Sequence, residues 1–111
     1  MTITVSDLGH GRLPTAGTNI ATSATSRTTR ITHCVFYNTH SSSVTVTLYY
    51  LRSGESVSSD GAVLVAKTIP PGKSWIAIEA IGINIAQLGA LHAVPSVTNV
   101  IDYNVAGDII L

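Results

Sequence analysis

The chain has 111 residues, of which only 11% are charged, and its six basic and six acidic side chains give a formal net charge of zero. This length fits one domain, and the absence of any run of basic residues argues against binding to nucleic acid or to an anionic lipid surface, since both need a basic patch. So few charges also produce little repulsion between copies of the chain, which suits a permanent assembly better than a free monomer.

The cysteine content and the hydropathy pattern exclude further classes of protein. The single cysteine, Cys34, cannot form an intramolecular disulfide or a cysteine-based zinc cluster, and we expect it to be buried as a small apolar residue within a strand. The N-terminus lacks the basic and apolar regions of a signal peptide, and no stretch approaches 18 uninterrupted apolar residues. We therefore expect neither a secretory leader nor a membrane span.

The N-terminal segment, residues 1–27, is predicted to be an extended arm. Residues 2–8 alternate weakly between apolar and polar side chains, as a short strand or an edge arm does, and the glycines at positions 9 and 11 are expected to end it. Beyond them, Leu13 and Ile20 are too few apolar side chains to bury the segment on their own. We expect the arm to become ordered by adding a strand to a neighbour, with a plain disordered terminus as the alternative.

Residues 30–52 are predicted to form a central β-hairpin. Its first strand, residues 31–38, is rich in β-branched and aromatic side chains, and residues 39–43 have the length of a hairpin loop. In its second strand, apolar side chains alternate with polar ones and predict one face toward a core. The apolar set is Val44, Val46 and Leu48.

Two more strands are predicted on either side of a turn. A polar loop, residues 52–61, leads to a strand over residues 62–69, and residues 74–80 alternate again. Between these strands, the sequence Pro-Pro-Gly-Lys at positions 70–73 predicts a type II turn, in which Pro71 presets φ and Gly72 adopts a positive φ.

Residues 80–91 are the one stretch where a helix is arguable, because their apolar side chains approximate helical spacing. Gly82 and Gly89 argue against it, since each would cost about 1 kcal/mol inside a helix. We expect a strand end, a turn near residues 87–89 and a further strand from Ala90.

The whole pattern predicts an all-β fold. A last strand is expected over residues 97–105, followed by a turn at residues 106–108. Seven or eight short strands separated by Gly and Pro turns indicate a single antiparallel β-sandwich or jelly roll over residues 28–111, preceded by the arm over residues 1–27.

No group of residues in the sequence points to catalysis or to a bound cofactor. Most acidic residues fall in predicted turns or termini, where solvated carboxylates are common, and no nucleophile, base and orienting acid are seen together. No glycine-rich phosphate loop links a strand to a helix. The histidines are not spaced as a local metal pair and are His10, His33, His40 and His92. We therefore expect no enzymatic activity, no cofactor and no metal.

The aromatic residues and the first hairpin strand suggest an interface. Tyr49 and Tyr50 are adjacent in one predicted strand, so they point to opposite sides and one of them should leave the core. The strand over residues 31–38 is apolar on both faces, which leaves one face for a subunit interface or for a covering segment of the same chain. Cys34 and Phe36 lie on one face, and Ile31, Val35 and Tyr37 lie on the other.

Four residues are the candidate interface residues, namely Ile20, Tyr37, Tyr49 and Tyr103. Ile20 belongs to the arm, and the three tyrosines belong to predicted strands. An outward tyrosine among Ser and Thr side chains can serve as an anchor for a partner protein or as a stacking platform for a sugar ring. An isolated surface aromatic is the alternative.

The order of these motifs resembles the small β-sandwich modules of tailed-phage virion proteins, such as capsid cement or decoration proteins and head or tail fibre modules. The resemblance covers residues 28–111. It is carried by Asn38-Thr39 at the end of the first hairpin strand, by residues 43–49 as the second, by the turn at residues 69–73, and by Ala-Gly-Asp-Ile at residues 106–109.

This resemblance implies a non-enzymatic structural role, commonly as a homotrimer. We expect a capsid cement protein that is assembled in the host cytoplasm, resides in the virion, and binds itself and the major capsid protein or another virion protein. We expect neither nucleic acid nor membrane as a partner. The alternative is a neck, tail or fibre module that binds a partner protein or a glycan.

Overall fold

The computed structural model describes residues 3–55, 57 and 62–110. Those ranges form nine β-strands and contain no helix, and therefore no helical membrane span. The strands are β1 (Ile3–Arg12), β2 (Thr18–Thr22), β3 (Thr28–Asn38), β4 (Val44–Leu51), β5 (Ala62–Ile69), β6 (Ser74–Ile76), β7 (Asn84–Ile85), β8 (Ala90–Pro95) and β9 (Ile101–Ile110).

Two antiparallel sheets pack face to face, so the predicted β-sandwich is confirmed. The five-stranded sheet has the order β1-β9-β3-β6, and the short β7 pairs with the other end of β3. The four-stranded sheet has the order β2-β8-β4-β5. Most strands that are consecutive in sequence lie in opposite sheets, so many connections cross the sandwich.

The inner faces of the two sheets form one apolar core. In β4 the predicted alternation is confirmed, because Val44, Val46 and Leu48 are fully buried. On the inner face of the five-stranded sheet, Phe36 and Trp75 stack with their ring centroids 5.3 Å apart. Cys34 is buried beside them in the same core, as the sequence predicts.

The N-terminal segment is extended, as expected, but it lies within the sandwich. β1 pairs with β9 and β2 pairs with β8, so the segment predicted to be an arm supplies one strand to each sheet. Leu13 and Ile20 are buried in the core. Few apolar side chains suffice because the backbone of this segment hydrogen-bonds to strands of its own chain. Gly9 and Gly11, which were expected to end the first strand, lie inside β1.

β3 and β4 are strands, as predicted, but the prediction that they form a hairpin is wrong. β3 belongs to the five-stranded sheet and β4 to the four-stranded sheet, and residues 39–43 arch from one sheet to the other. Period-2 alternation identifies the buried face of a strand but carries no information about its neighbour.

Asn38 holds this arch to the turn at residues 70–73. Its fully buried side-chain amide donates hydrogen bonds to the carbonyls of Ser42 (3.0 Å) and Ile69 (2.8 Å), and its Oδ1 accepts one from the His40 backbone (2.8 Å). Its own backbone bonds to Gly72 and Lys73. Two connections between the sheets are thereby joined by one side chain.

The turn at residues 70–73 is confirmed. Its closing hydrogen bond runs from the Lys73 backbone N–H to the Pro70 carbonyl (3.2 Å), and Gly72 has a φ of 69°. Residues 56 and 58–61 of the predicted polar loop lie outside the described residues. The strand predicted over residues 74–80 is shorter than expected and ends at Ile76.

The C-terminal third contains strands and turns, as predicted for residues 80–91. A turn precedes β8, with Leu88 at a φ of 62°, and β8 begins at Ala90. The last strand starts at Ile101 and not at residue 97. It also continues through residues 106–108, so the turn predicted there is wrong.

Gly107 lies inside β9, opposite a bulge in β3. The pairing of β3 with β9 shifts register between Ile31 and His33. There, Gly107 lies so close to the Arg30 carbonyl oxygen that a Cβ would collide with it. Only glycine therefore allows the two backbones to approach this closely. The sequence suggested a turn at Gly107, whereas in the fold this glycine allows two strands to approach each other closely.

Candidate interaction surfaces

An apolar strip lies on the outer face of the five-stranded sheet. β6 pairs with β3 so that Ile76 lies opposite Val35 and Ser74 lies opposite Tyr37. Because Phe36 and Trp75 point inward, these neighbours point outward. Tyr37 is 44% exposed, Ile76 is 58% exposed, and Ile78, two residues further along, is 73% exposed. We call Val35, Tyr37, Ile76 and Ile78 the apolar strip.

Charged residues on the same outer face form ion pairs. The Arg12 Nε lies 2.7 Å from Oδ1 of Asp102, and Asp102 lies opposite Tyr37 in the β3–β9 register. Further along the sheet, the Arg30 guanidinium lies 2.6 Å from the carboxylate of Asp108. The Arg12–Asp102 pair therefore borders the strip beside Tyr37, and the Arg30–Asp108 pair lies further away on the same face. Polar groups at the margin of an apolar patch are typical of protein interfaces.

Tyr49 lies on the outer face of the four-stranded sheet in a row of four side chains. The strand registers place Tyr49 between Val63 and His92, and place His92 opposite Asn19. The rings of Tyr49 and His92 meet edge to face at 6.4 Å, and His92 Nδ1 lies 2.7 Å from Asn19 Oδ1. We call Asn19, His92, Tyr49 and Val63 the Tyr49 row.

The four side chains of the Tyr49 row carry no formal charge when the His92 imidazole is neutral. Partial burial lowers the pKa of His92 from 6.5, although a hydrogen bond with the Ala16 backbone acts in the opposite direction. Further along the same face of β4, the hydroxyls of Thr45 and Thr68 lie 3.0 Å apart. The row thus offers two rings and neutral hydrogen-bonding groups.

The structure separates the four candidate interface residues. Tyr37 and Tyr49 face outward from opposite sheets, which confirms that one of the pair Tyr49 and Tyr50 leaves the core. Ile20 is only 1% exposed, so its side chain lies in the core and is not available at the surface. Tyr103 is half-buried against the core beside Gly9 and Gly11 of β1. Of the four residues, only Tyr37 and Tyr49 therefore have side chains on an outer face of the sandwich.

The side chains of Tyr50 and Ile31 pack in or against the core and are not part of an outer surface. Tyr50 packs against the core, and its hydroxyl donates to the Asn84 carbonyl (3.4 Å) and accepts from the Ala86 N–H (3.3 Å). Ile31 was placed on the outer face with Val35 and Tyr37, but the bulge in β3 reverses its side, and it is fully buried. Ile76 and Ile78 were missed as surface residues, although their alternation with the buried Ala77 was visible in the sequence.

One open depression of about 350 Å³ lies near the start of β3, away from the apolar strip. Its lining includes Arg27, Gln87 and Ile110, and the Ser26 N–H donates to Gln87 Oε1 (2.8 Å). Arg27 is the only ionisable residue among the residues that line it. The depression therefore presents no pair of groups suited to acid–base chemistry.

The reactive side-chain types are dispersed. In the part of the chain that the structure describes, no three His, Cys, Asp or Glu side chains are placed to hold a metal ion. Burial raises the pKa of the Cys34 thiol to about 12, so this thiol is protonated and a poor nucleophile at neutral pH.

No protein-family model, curated protein or solved structure matches this chain. Its function must therefore be inferred from its own surfaces. The apolar strip and the Tyr49 row are the two that combine exposed large side chains with neighbouring polar groups, and they lie on opposite sheets. Each can be altered by substitution without changing the other.

Proposed function

We propose that this chain is a non-enzymatic structural protein of a tailed-phage virion, a capsid cement protein that forms a homotrimer and binds the shell made by the major capsid protein. The observation that carries the proposal is the apolar strip. Tyr37 and Ile76 of the strip lie on the five-stranded sheet, Ile78 lies in the turn that follows β6, and the chain has zero formal net charge. Association of copies through this strip buries apolar surface with little electrostatic cost.

The order of the strands is compatible with a jelly roll, an architecture found among viral capsid domains. With the two-residue β7 left out, one sheet holds the first, eighth, third and sixth strands. The other sheet holds the second, seventh, fourth and fifth, which is the strand order of a jelly roll. Jelly rolls occur in viral capsid and lectin domains. This order therefore supports both the virion role and the alternative of glycan binding.

The proposed mechanism is adhesion. Fully burying an isoleucine or valine side chain contributes about 1.5–3 kcal/mol. Several such side chains at each contact, repeated over a shell, raise the work needed to separate capsomers. The paired strands hold the backbone of β3 and β6 in place, so little backbone conformational entropy is lost on binding.

The virion assignment is tested on phage particles. Particles from a strain that lacks this gene are mixed with the purified chain and sedimented through sucrose, and the bound chain is quantified. We expect the wild-type chain to co-sediment in a fixed ratio to the major capsid protein. Free chain at the top of the gradient would overturn the cement assignment.

The role of the strip is tested in the same assay with paired variants. Tyr37→Ser combined with Ile76→Ser should reduce the bound chain at least tenfold, because both changes remove apolar area from the strip. Tyr49→Ser is the matched control on the opposite sheet and should bind like the wild type. Equal losses for both variants would contradict a role specific to the strip.

The second candidate function is a neck, tail or fibre module that holds a glycan, and the Tyr49 row favours it. Aromatic rings beside neutral hydrogen-bonding groups suit the apolar face and hydroxyls of a sugar. A glycan array probed with the purified chain tests this function. Binding that is lost with Tyr49→Ala and kept with Tyr37→Ala would favour the glycan module over the cement.

A further inference from the structure

The outer edges of the two sheets differ in how they are protected against another strand. In the four-stranded sheet, β2 has five residues and a register shift near Ile20. At the other edge, Lys67 of β5 lies opposite the buried Val46, so it is on the core-facing side of an edge strand. An inward-facing charge on an edge strand opposes pairing with a further chain.

In the five-stranded sheet, only one edge is long. β6 and β7 share one edge and have three and two residues. β1 forms the other edge with ten residues, and no strand of the described chain pairs with its free side. The pairing of β1 with β9 is regular from Ile3 to Asp7 and shifts register only between Asp7 and Gly9.

Within the regular half of β1, the charge of Asp7 and the register shift lie at one end, and residues 3–6 lack the usual protection. Residues 3–6 contain no charge and no proline. Val5 is 80% exposed, more than any other large apolar residue in the described ranges, and Ile3 is also exposed. Both point to the outer face, where Ile3 lies opposite Ile110 of β9. This segment combines free backbone hydrogen-bonding groups with unburied apolar side chains.

We propose that β1 pairs antiparallel with β1 of a second copy across a two-fold axis at Val5, which joins the two five-stranded sheets into one. This contact is distinct from the apolar strip and goes beyond the proposed function. The proposed β1 contact does not depend on whether the chain is a virion protein. A trimer with such a two-fold contact would be linked to neighbouring trimers and could form a continuous net.

The sequence of β1 favours a second copy as the occupant because it is self-complementary in this register. Val5 lies opposite Val5 of the second copy, and Thr4 lies opposite Ser6. Pairs of β-branched residues and of hydroxyl residues are both favourable across neighbouring strands. No like charges face each other, since Asp7 lies opposite Ile3. The zero net charge of the chain also means that copies do not repel one another.

Cross-linking tests the register directly. Cys34 is buried, so Val5→Cys adds the accessible thiol. In the proposed register, the two introduced thiols face each other at a distance that a disulfide can span. We expect mild oxidation to give a covalent dimer. Val63→Cys is the matched control, since Val63 is 59% exposed on the edge strand β5, and it should stay monomeric on a denaturing gel.

Sedimentation velocity provides the second test. Wild-type protein should show a concentration-dependent doubling of its assembly unit, and Val5→Lys should weaken this step at least tenfold while Val63→Lys leaves it unchanged. Equal cross-linking of the two cysteine variants, or an unchanged step in Val5→Lys, would overturn the proposal. Loss of association through the apolar strip can be distinguished from loss of the β1 contact, because Tyr37→Ser should leave the Val5→Cys cross-link intact.

Discussion

At the scale of single residues, Asn38 shows how one polar side chain can define a connection in an apolar core. It bonds to the arch after β3 and to the end of β5, and these two segments link the sheets at the same end of the sandwich. The residue next to it, Tyr37, is thereby held at the edge of the apolar strip.

We predict that Asn38→Ala lowers the free energy of unfolding by about 2–4 kcal/mol. The change removes two partly buried hydrogen bonds and one buried one, and it leaves the buried Ile69 carbonyl without this donor, which alone costs about 1–3 kcal/mol. Urea denaturation measures the effect. Asn104→Ala, at an exposed position of β9, is the control and should change stability by less than about 0.5 kcal/mol. If Asn38→Ala also lowered the free energy of unfolding by less than about 0.5 kcal/mol, its side-chain hydrogen bonds would not stabilise the fold as proposed.

Cys34 gives a prediction for alkaline pH. Burial raises the pKa of its thiol from 9.0 to about 12, so the folded protein holds a proton that the unfolded chain releases. The resulting stabilisation is complete below pH 9 and is lost as the pH rises towards 12. We expect the stability difference between the wild type and Cys34→Ala to shrink between pH 9 and 11 in urea titrations. A constant difference over this range would count against a buried thiol.

At the residue scale, the sequence predicts burial better than exposure. Cys34 and the alternating set in β4 were placed correctly because burial follows apolar character and period. Ile31 was placed on the wrong face because one inserted residue in β3 reverses every side chain before it. Such a bulge depends on the partner strand, which the local sequence does not contain. The inward position of Ile20 depends on its partner strand in the same way.

At the scale of elements, most strands and the turn at residues 70–73 were predictable, whereas the turn expected at residues 106–108 and the pairing of the strands were not. The turn at residues 70–73 follows from local φ preferences, and β4, β5 and β8 follow from composition and period. Residues 1–27 were predicted to be an arm because their own apolar content is low. β1 and β2 are held by β9 and β8, which lie far away in sequence. The sequence of residues 1–27 alone does not indicate that β9 and β8 are the pairing partners.

The close contact between β9 and β3 gives a prediction for an element. Gly107→Ala should destabilise the protein by about 2 kcal/mol or more, because the added Cβ would collide with the Arg30 carbonyl and separate the two strands. Thermal unfolding measures the effect, and a soluble fraction on expression reports a failure to fold. Gly54→Ala is the control, since its Cβ would meet no atom within 4 Å and only its φ of 81° opposes the change. Equal losses at both positions would contradict the account.

At the scale of the whole molecule, the sandwich separates its possible contacts. The apolar strip lies at one side of the five-stranded sheet, the β1 edge lies at the other, and the Tyr49 row lies on the opposite sheet. Of the three tyrosines that the sequence suggested for an interface, Tyr37 and Tyr49 face outward and Tyr103 is half-buried against the core. The sequence could not predict the strip as a unit, because Val35 and Ile76 become neighbours only when β6 pairs with β3.

The central claim is that this chain associates with itself through the exposed faces of a rigid sandwich. The measurement that tests it most directly is the solution mass of the purified protein, determined by light scattering over a dilution series down to micromolar concentration. We expect a trimer of the 11.6 kDa chain that persists on dilution, with larger species at high concentration. A monomer at every concentration would contradict it.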